Sequence, residues 1–172
     1  TLLNTVKQEK PEIIFITGDT GCKGNEKDYV LATQFFSDLL SYANLDKNYV
    51  WIVPGNHDVK RGKSLLRPPI ENGITSDEFF GKPDEREASL LKFKNYKNFV
   101  NTFFDGRQLS EGDIVHKPSV MDIKGFLLGI MPLNSCWSSQ DDNDIGNLCF
   151  LSHCTCANPE VSYIIIILRR PA

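Results

Sequence analysis

The sequence predicts an α/β fold with mixed sheet strands and helices packed on the outside. Ile13–Ile16 is a short apolar run rich in β-branched residues, typical of a strand buried on both faces of a parallel sheet. Apolar residues at helical spacing follow, in a segment that starts near Glu26. A second apolar run, Tyr49–Val53, then ends at Pro54-Gly55. This order predicts a parallel pair whose two strands end at the same edge of the sheet.

The rest of the chain predicts further elements of both kinds. Arg61–Arg86 is rich in glycine, proline and charge, which predicts an irregular surface segment. An amphipathic helix is expected over residues 93–103, with its lysines on the solvated face: Lys92, Lys94 and Lys97. Three more strands are expected, at Val120–Ile123, Phe126–Ile130 and Ser162–Leu168, with a turn at Lys124-Gly125 and a polar loop over 140–147.

Length and composition indicate a single domain over residues 1–172. The chain has 172 residues, 41% of them hydrophobic, which is long enough to bury one core but short for two full domains. A formal net charge of -3 provides no basic face for a nucleic-acid backbone, so nucleic acid is not expected as a partner. The same net charge is compatible with a nucleotide as the substrate. No run reaches the roughly 18 to 20 apolar residues of a membrane span, and we expect no membrane partner. Nothing in the composition indicates an oligomeric state.

The five cysteines predict a reducing, cytoplasmic location, because an odd number argues against a framework of paired disulfides. Three of them cluster near the end of the sequence around His153: Cys149, Cys154 and Cys156. Their spacing matches no common structural zinc site, so ordinary thiols are expected there. A further histidine, His116, precedes a Lys-Pro pair and is expected to lie in a loop.

Polar motifs follow both strands of the predicted parallel pair. Gly18-Asp19 follows the first strand, and Gly55 is followed by Asn56-His57-Asp58 after the second. Open α/β sheets bind ligands beyond the carboxyl ends of their strands, and carboxylate, amide and imidazole groups suit a divalent metal ion. Gly-Asp alone indicates only a turn or a helix cap. The two motifs one crossover apart together predict a metal site.

These residues support a resemblance to a known family. The stretch IIFITGDTGCKGNEKDYVLATQFFSDLL, followed by YVWIVPGNHD, resembles the second and third signature motifs of the calcineurin-like metallophosphoesterases. The resemblance implies a metallophosphoesterase-like sheet sandwich flanked by helices, incomplete at both ends. It also implies hydrolysis of a phosphate mono- or diester substrate by a metal-activated water, with two divalent ions of manganese, iron or zinc as cofactors.

The resemblance also implies roles for individual residues. Asp19 would bridge the two metal ions, and Asn56 would ligate one of them through its side-chain oxygen. His57 would protonate the leaving oxygen, and Asp58 would orient His57. The later stretch LLGIMPLNSCW resembles a family strand that ends in Asn-Ser, which makes Asn134 a candidate substrate-binding residue and adds its neighbour Ser135 to the wall of the site.

The sequence also departs from the family pattern. The first family motif, Asp-x-His, would lie upstream of Thr1, and the final Gly-His-x-His motif is missing. The apolar run IIIIL resembles a strand that normally leads into metal-binding histidines, but here it leads into Arg169-Arg170. Arginine offers no lone pair to a metal, so Arg169 is a candidate phosphate contact, with a solvated strand end as the alternative. Two hypotheses follow: an active phosphoesterase, or a catalytically inactive or truncated domain that serves as a binding or regulatory scaffold.

Overall fold

A computed structural model describes residues 2–60, 81–105, 107, 109, 114–139 and 164–169. In chain order its elements are α1 (Leu2–Glu9), β1 (Ile14–Ile16), α2 (Glu26–Ala43), β2 (Val50–Ile52), α3 (Pro83–Leu90), α4 (Lys94–Phe103), β3 (Ser119–Ile123), β4 (Phe126–Pro132) and β5 (Ile164–Arg169). Short 3-10 turns lie at Lys47–Tyr49, Leu91–Phe93 and Cys136–Ser138. Among the described helices, none combines the length and the apolar character that a membrane crossing requires.

The first two strands form the predicted parallel pair. Phe15 of β1 lies opposite Trp51 of β2, and α2 provides the crossover between them. The side chains of β2 are buried, but those of β1 are only partly buried, so the expectation that β1 is buried on both faces is wrong. Within the described residues β1 has one neighbouring strand, which leaves its other edge uncovered.

The remaining strands form an antiparallel sheet in the order β3-β4-β5. The turn between β3 and β4 lies at the predicted place, with φ of 50° at Lys124 and 82° at Gly125. Two consecutive positive φ angles are typical of the tight hairpin turn that matches the twist of the strands. The carboxylate of Asp122 accepts a hydrogen bond from the backbone N–H of Gly125 at 2.7 Å, which closes the turn.

Two apolar clusters hold these elements together. The larger one packs α2 against α4 through aromatic rings, including Tyr29 and Phe99, which stack with centroids 5.2 Å apart. The smaller one lies between the two sheets, where Trp51 of β2 packs with Leu128 and Ile130 of β4. The structure is therefore an α/β arrangement, with two small sheets facing each other and helices against the first.

Several expectations about the segments between these elements need correction or lie outside the described residues. Residues 61–80 are not among those described, but α3 begins at Pro83, so the end of the predicted irregular segment is helical. Proline at a first helical position fits because its missing N–H has no intrahelical partner there. Lys92 is not simply solvated, since its ammonium donates to the carbonyl of Ser139 at 2.6 Å. The polar loop over 140–147 and the cysteine cluster over 149–156 lie outside the described residues.

Candidate metal-binding and catalytic site

The loops that follow β1 and β2 meet through direct contact of their backbones. Gly18 has φ of 113°, a conformation that side chains rarely adopt, and a Cβ atom there would lie only 2.8 Å from Cα of Gly55. Glycine at both positions is what allows the two chains to approach this closely. The next residue, Asp19, is itself in the left-handed region with φ of 54°, which residues other than glycine seldom adopt.

The carboxylate of Asp19 lies against the loop that carries Asn56. Its Oδ1 accepts a hydrogen bond from the backbone N–H of His57 at 3.1 Å, and it also packs against Gly55, where an added Cβ would overlap it. The carboxylate therefore touches the residues on both sides of Asn56. Asp19 is exposed, whereas Asn56 and His57 are partly exposed, so the three side chains are accessible to a ligand.

Asp58 fastens the two loops to each other from inside the protein. Its side chain is fully buried, and its oxygens accept backbone hydrogen bonds from Thr20 at 3.0 Å, Gly21 at 2.6 Å and Gly55 at 2.9 Å. Burial raises the pKa of Asp58 to about 6. The three N–H donors lower this pKa, and the nearby charge of Asp19 raises it. These bonds run to backbone groups rather than to the imidazole of His57.

Helix α2 contributes Tyr29 to the same buried cluster. Its hydroxyl donates to the backbone carbonyl of Asp58 at 2.9 Å and lies 3.3 Å from the Asp58 carboxylate. Burial, together with the Asp58 charge, raises the pKa of Tyr29 well above its usual value, so the hydroxyl keeps its hydrogen. The crossover helix is thereby tied directly to the loop that follows β2.

The imidazole of His57 is held by the first loop rather than by Asp58. Its Nδ1 lies 3.0 Å from the carbonyl oxygen of Cys22. The loop that contains Cys22 is in turn ordered by Asp28, whose carboxylate accepts backbone hydrogen bonds from Cys22, Lys23 and Asn25. The bond from Lys23, followed by the other two, lowers the pKa of Asp28. The first turn of α2 thus positions the group that contacts the His57 ring.

The segment that contains Asn134 lies beside the loop that follows β2, whereas Arg169 lies at the opposite end of β4. Cys136 donates its thiol hydrogen to the carbonyl of Pro54 at 3.4 Å, which attaches the end of β4 to the loop after β2. Asn134 is buried, and its side-chain oxygen accepts from the backbone N–H of Cys136 at 2.8 Å. Arg169 pairs with Leu127 at the beginning of β4, the end opposite Asn134.

Sequence reasoning identified the side chains at the loop junction but missed the groups that hold them. Tyr29 carries a readable signal, because it lies on the same helical stripe as Ala32 and Phe36 and is therefore predicted to be buried. A buried hydroxyl requires a partner, and the adjacent loops offer one. The carbonyl of Cys22 carries no such signal, since any residue at that position supplies a carbonyl.

The chain belongs to the calcineurin-like phosphoesterase family, whose sequence profile matches residues 1–168. A curated relative from Bacillus subtilis (strain 168), described as an uncharacterized metallophosphoesterase-like protein YydB, is 26% identical over 125 residues. That alignment covers 68% of this chain and 26% of the relative, so the chain spans about a quarter of the relative's length. No solved structure matches the chain at a significant level.

The family is one of phosphoesterases that use divalent metal ions, and the residues at the loop junction fit such ions in kind. One oxygen of Asp19 is engaged by the His57 backbone, and in the described part of the chain the second oxygen, Oδ2, has no hydrogen-bond partner. Asn56 lies between the two residues that contact Asp19, and its side chain carries an amide oxygen. Over the described ranges, no three His, Cys, Asp or Glu side chains gather around one point.

Proposed function

We propose that this chain carries the Asp19, Asn56 and His57 portion of a metal-dependent phosphoesterase that hydrolyses a phosphate mono- or diester. The observation that supports the proposal is the contact of the Asp19 carboxylate with the backbone on both sides of Asn56. This contact supports a site in which the Asp19 carboxylate and the Asn56 amide, from the loops after two different strands, act together at one edge of the sheet, where this class of fold binds its ligands.

The proposed cofactors are two divalent ions of manganese, iron or zinc, held in part by Asp19 and Asn56. When bound, such ions neutralise the phosphate and promote deprotonation of the attacking water. Asp19 contributes a full negative charge and Asn56 a neutral oxygen. This combination limits the negative charge at a site that must also admit an anionic substrate.

His57 is proposed as the proton donor to the leaving oxygen. A carbonyl can only accept a hydrogen bond, so the contact with Cys22 requires that Nδ1 carry the hydrogen. The exchangeable proton is then the one on Nε2. Asp58 is proposed to orient His57 indirectly, by fixing the backbone of the loop from which the imidazole projects.

The candidate substrate contacts differ in what supports them. Asn134 lies in a segment attached to Pro54, at the same end of the sheet as the loop junction, which supports a role in the wall of the site. Arg169 lies opposite Leu127, at the end of β4 that is remote from Asn134. The strand register therefore does not support its proposed contact with phosphate. A cytoplasmic location is part of the same proposal and follows from the cysteine content of the sequence.

The test is hydrolysis of p-nitrophenyl phosphate and its bis-ester, with and without added manganese. We expect manganese-dependent turnover in the wild type, and loss of that turnover in Asp19→Ala. Asp38→Ala is the matched control, because Asp38 is an α2 carboxylate whose side chain bonds Gln34, away from the loop junction. Absence of manganese-dependent turnover in the wild type, including a longer form of the protein, would favour the inactive scaffold instead.

A further inference from the structure

A cavity lies at the other end of β2 from the candidate metal site. Its volume is about 490 Å³, and it is lined by side chains from the start of β2, from the segment after α4 and from the segment before β3. Two of the lining residues are cations, Arg107 and Lys117, and among the described residues no carboxylate lines it. The cavity therefore presents positive charge without a compensating acid.

Arg107 is fixed in place at the wall of this cavity. Its guanidinium donates to the carbonyls of Asn48, at 3.3 Å, and Val50, and it lies 4.8 Å from the ring centroids of both Trp51 and Phe104. These contacts use the two terminal nitrogens. The third nitrogen, Nε, is buried and has no hydrogen-bond partner.

No nearby acid of the described chain neutralises this guanidinium. The closest acid in sequence, Asp105, pairs with the ammonium of Lys47 at 3.0 Å. Burial lowers the pKa of Arg107 to about 10, which reflects the cost of keeping a cation in this environment, although it remains charged at neutral pH. A partly buried cation of this kind is stabilised by an anion that occupies the cavity.

His116 provides a second donor beside Arg107. It lies in a loop, as expected, but is 1% exposed, and it packs edge-on against the same two rings, Trp51 at 5.8 Å and Phe104 at 5.3 Å. Both of its ring nitrogens are buried without a partner. Burial, followed by the charge of Arg107, lowers the pKa of His116 to about 3, so the ring is neutral and carries one N–H.

Three unpaired buried nitrogens at one cavity are unusual, because most buried polar groups in native proteins are hydrogen-bonded. A group that accepts from both the Nε–H of Arg107 and the one ring N–H of His116 would satisfy both of the donors among these nitrogens. A water molecule can accept such bonds but does not offset the charges of Arg107 and Lys117. An oxyanion does both, and charge-assisted bonds from a guanidinium to an oxyanion are the stronger kind.

We propose that this cavity is an oxyanion-binding site, in which Arg107 and His116 hold a phosphate or carboxylate group and Lys117 adds charge at the mouth. The volume exceeds that of an isolated ion, so the oxyanion can be the end group of a small organic molecule. Arg107 contacts carbonyls at the beginning of β2, whereas the metal-site loop follows its end. The proposed ligand is therefore separate from the substrate of the metal site.

The test is a titration of the chain with inorganic phosphate and, in parallel, with acetate, followed by NMR of the histidine ring protons. The chain has three histidines, so the His116 signal can be assigned from a His116→Gln variant. We expect a saturable shift of that signal with at least one of the two anions, and no such shift with chloride at the same ionic strength. The comparison of phosphate with acetate shows which oxyanion the site prefers.

Variants separate specific binding from general charge effects. We expect Arg107→Gln to weaken binding by roughly 10-fold or more, and Lys117→Gln by roughly 3-fold. Lys97→Gln removes the same charge from the exposed face of α4 and should leave the affinity unchanged. Should Arg107→Gln fail to fold, Arg107→Lys keeps the cation but loses the planar fork and is expected to weaken binding as well.

The proposal is independent of the proposed hydrolytic function, and the titration can be repeated in a His57→Ala background. Persistence of the His116 shift there would place the anion at this cavity rather than at the metal site. The proposal is overturned if neither anion shifts the His116 signal saturably. It is equally overturned if the shift has the same midpoint in wild type, Lys117→Gln and the folded Arg107 variant.

Discussion

His57 is the residue whose proposed role can be separated most clearly from a structural one. Its Nδ1 faces the Cys22 carbonyl, so Nε2 is the nitrogen proposed to transfer a proton to the leaving oxygen. A p-nitrophenolate leaves readily without protonation, whereas an alkoxide does not. We therefore expect His57→Ala to slow hydrolysis of an alkyl phosphate ester by about 100-fold or more, and that of the p-nitrophenyl ester far less. Equal losses of kcat for both esters would contradict a proton-donor role.

Gly55 tests whether the close approach of the two loops is required. A methyl group at this position would overlap the carboxylate and backbone nitrogen of Asp19, so we expect Gly55→Ala to abolish manganese-dependent turnover. Gly125→Ala is the control, because a Cβ there meets nothing within 4 Å, although its φ of 82° costs the variant about 1 to 2 kcal/mol of stability. Full activity in Gly55→Ala would show that the contact is dispensable.

The buried imidazole of His116 predicts a pH dependence of stability. Its pKa is about 3 in the folded chain against an ordinary value of 6.5, because burial and Arg107 disfavour the charged ring. Between these values the unfolded chain binds a proton that the folded chain does not, so the free energy of unfolding rises with pH and falls on acidification. The slope from this group approaches about 1.4 kcal/mol per pH unit.

Urea unfolding at several pH values within that window, in an anion-poor buffer, measures this slope. Arg107 lines the same cavity, and it remains charged throughout the window because its pKa is about 10. We expect the slope to be shallower in His116→Leu than in the wild type. Identical slopes in the two proteins would mean that His116 titrates normally.

At the scale of elements, α2 positions the site through both its first turn and its buried face. Asp28 orders the loop that contacts His57, and Tyr29 donates to the carbonyl of Asp58. We expect Tyr29→Phe to lower the free energy of unfolding by about 1 kcal/mol through loss of the buried hydrogen bond. Tyr42→Phe, on the exposed part of the same helix, should change it by less than about 0.5 kcal/mol. If chemical unfolding gives the same change in free energy for both variants, the Tyr29 hydroxyl does not stabilise the fold in the way described.

Most elements that flank the site follow from local sequence. The start of α2 at Glu26, the parallel pairing of β1 with β2 and the turn at Lys124 were all predictable, because periodicity and turn residues act over a few positions. The meeting of the Asp19 loop with the Asn56 loop followed from the rule that parallel strands end at one edge.

Other features depend on contacts between distant parts of the chain. The carboxylate of Asp58 binds backbone N–H groups 37 and 38 residues away, and nothing in its neighbourhood in sequence indicates those partners. His116 lies in a loop as expected, but its burial depends on rings contributed by β2 and by the end of α4, which the neighbouring sequence does not indicate. The helix α3 was not predicted, because glycine, proline and charge in this segment indicated an irregular structure. Its proline is nevertheless compatible with a first helical turn.

On the scale of the whole molecule, the aromatic contacts between α2 and α4 form the main core. Phe99 packs against the rings of Tyr29, Phe36 and Phe103. We expect Phe99→Ala to lower the free energy of unfolding by about 3 to 5 kcal/mol, because it removes transfer energy and leaves a cavity. Leu31→Ala is the control, since this side chain is 74% exposed and should change stability by less than about 0.5 kcal/mol. A similar midpoint of urea unfolding for both variants would contradict this description of the core.

The division of the molecule into two sheets has a consequence for function. The loop junction lies at one end of β2, and the oxyanion cavity lies at the other, next to the cluster that joins the sheets. Ligands at the two places would stabilise the same fold from opposite ends, each by binding the folded state.

The account depends on the ability of Asp19 and Asn56 to bind a divalent cation together, and calorimetric titration with manganese measures this directly. We predict saturable binding to the wild type, weakened by roughly 10-fold or more in Asp19→Asn and in Asn56→Ala, because each variant loses or neutralises an oxygen ligand. Asp38→Ala should bind as the wild type does. Manganese affinity that is the same in all four proteins would contradict the account.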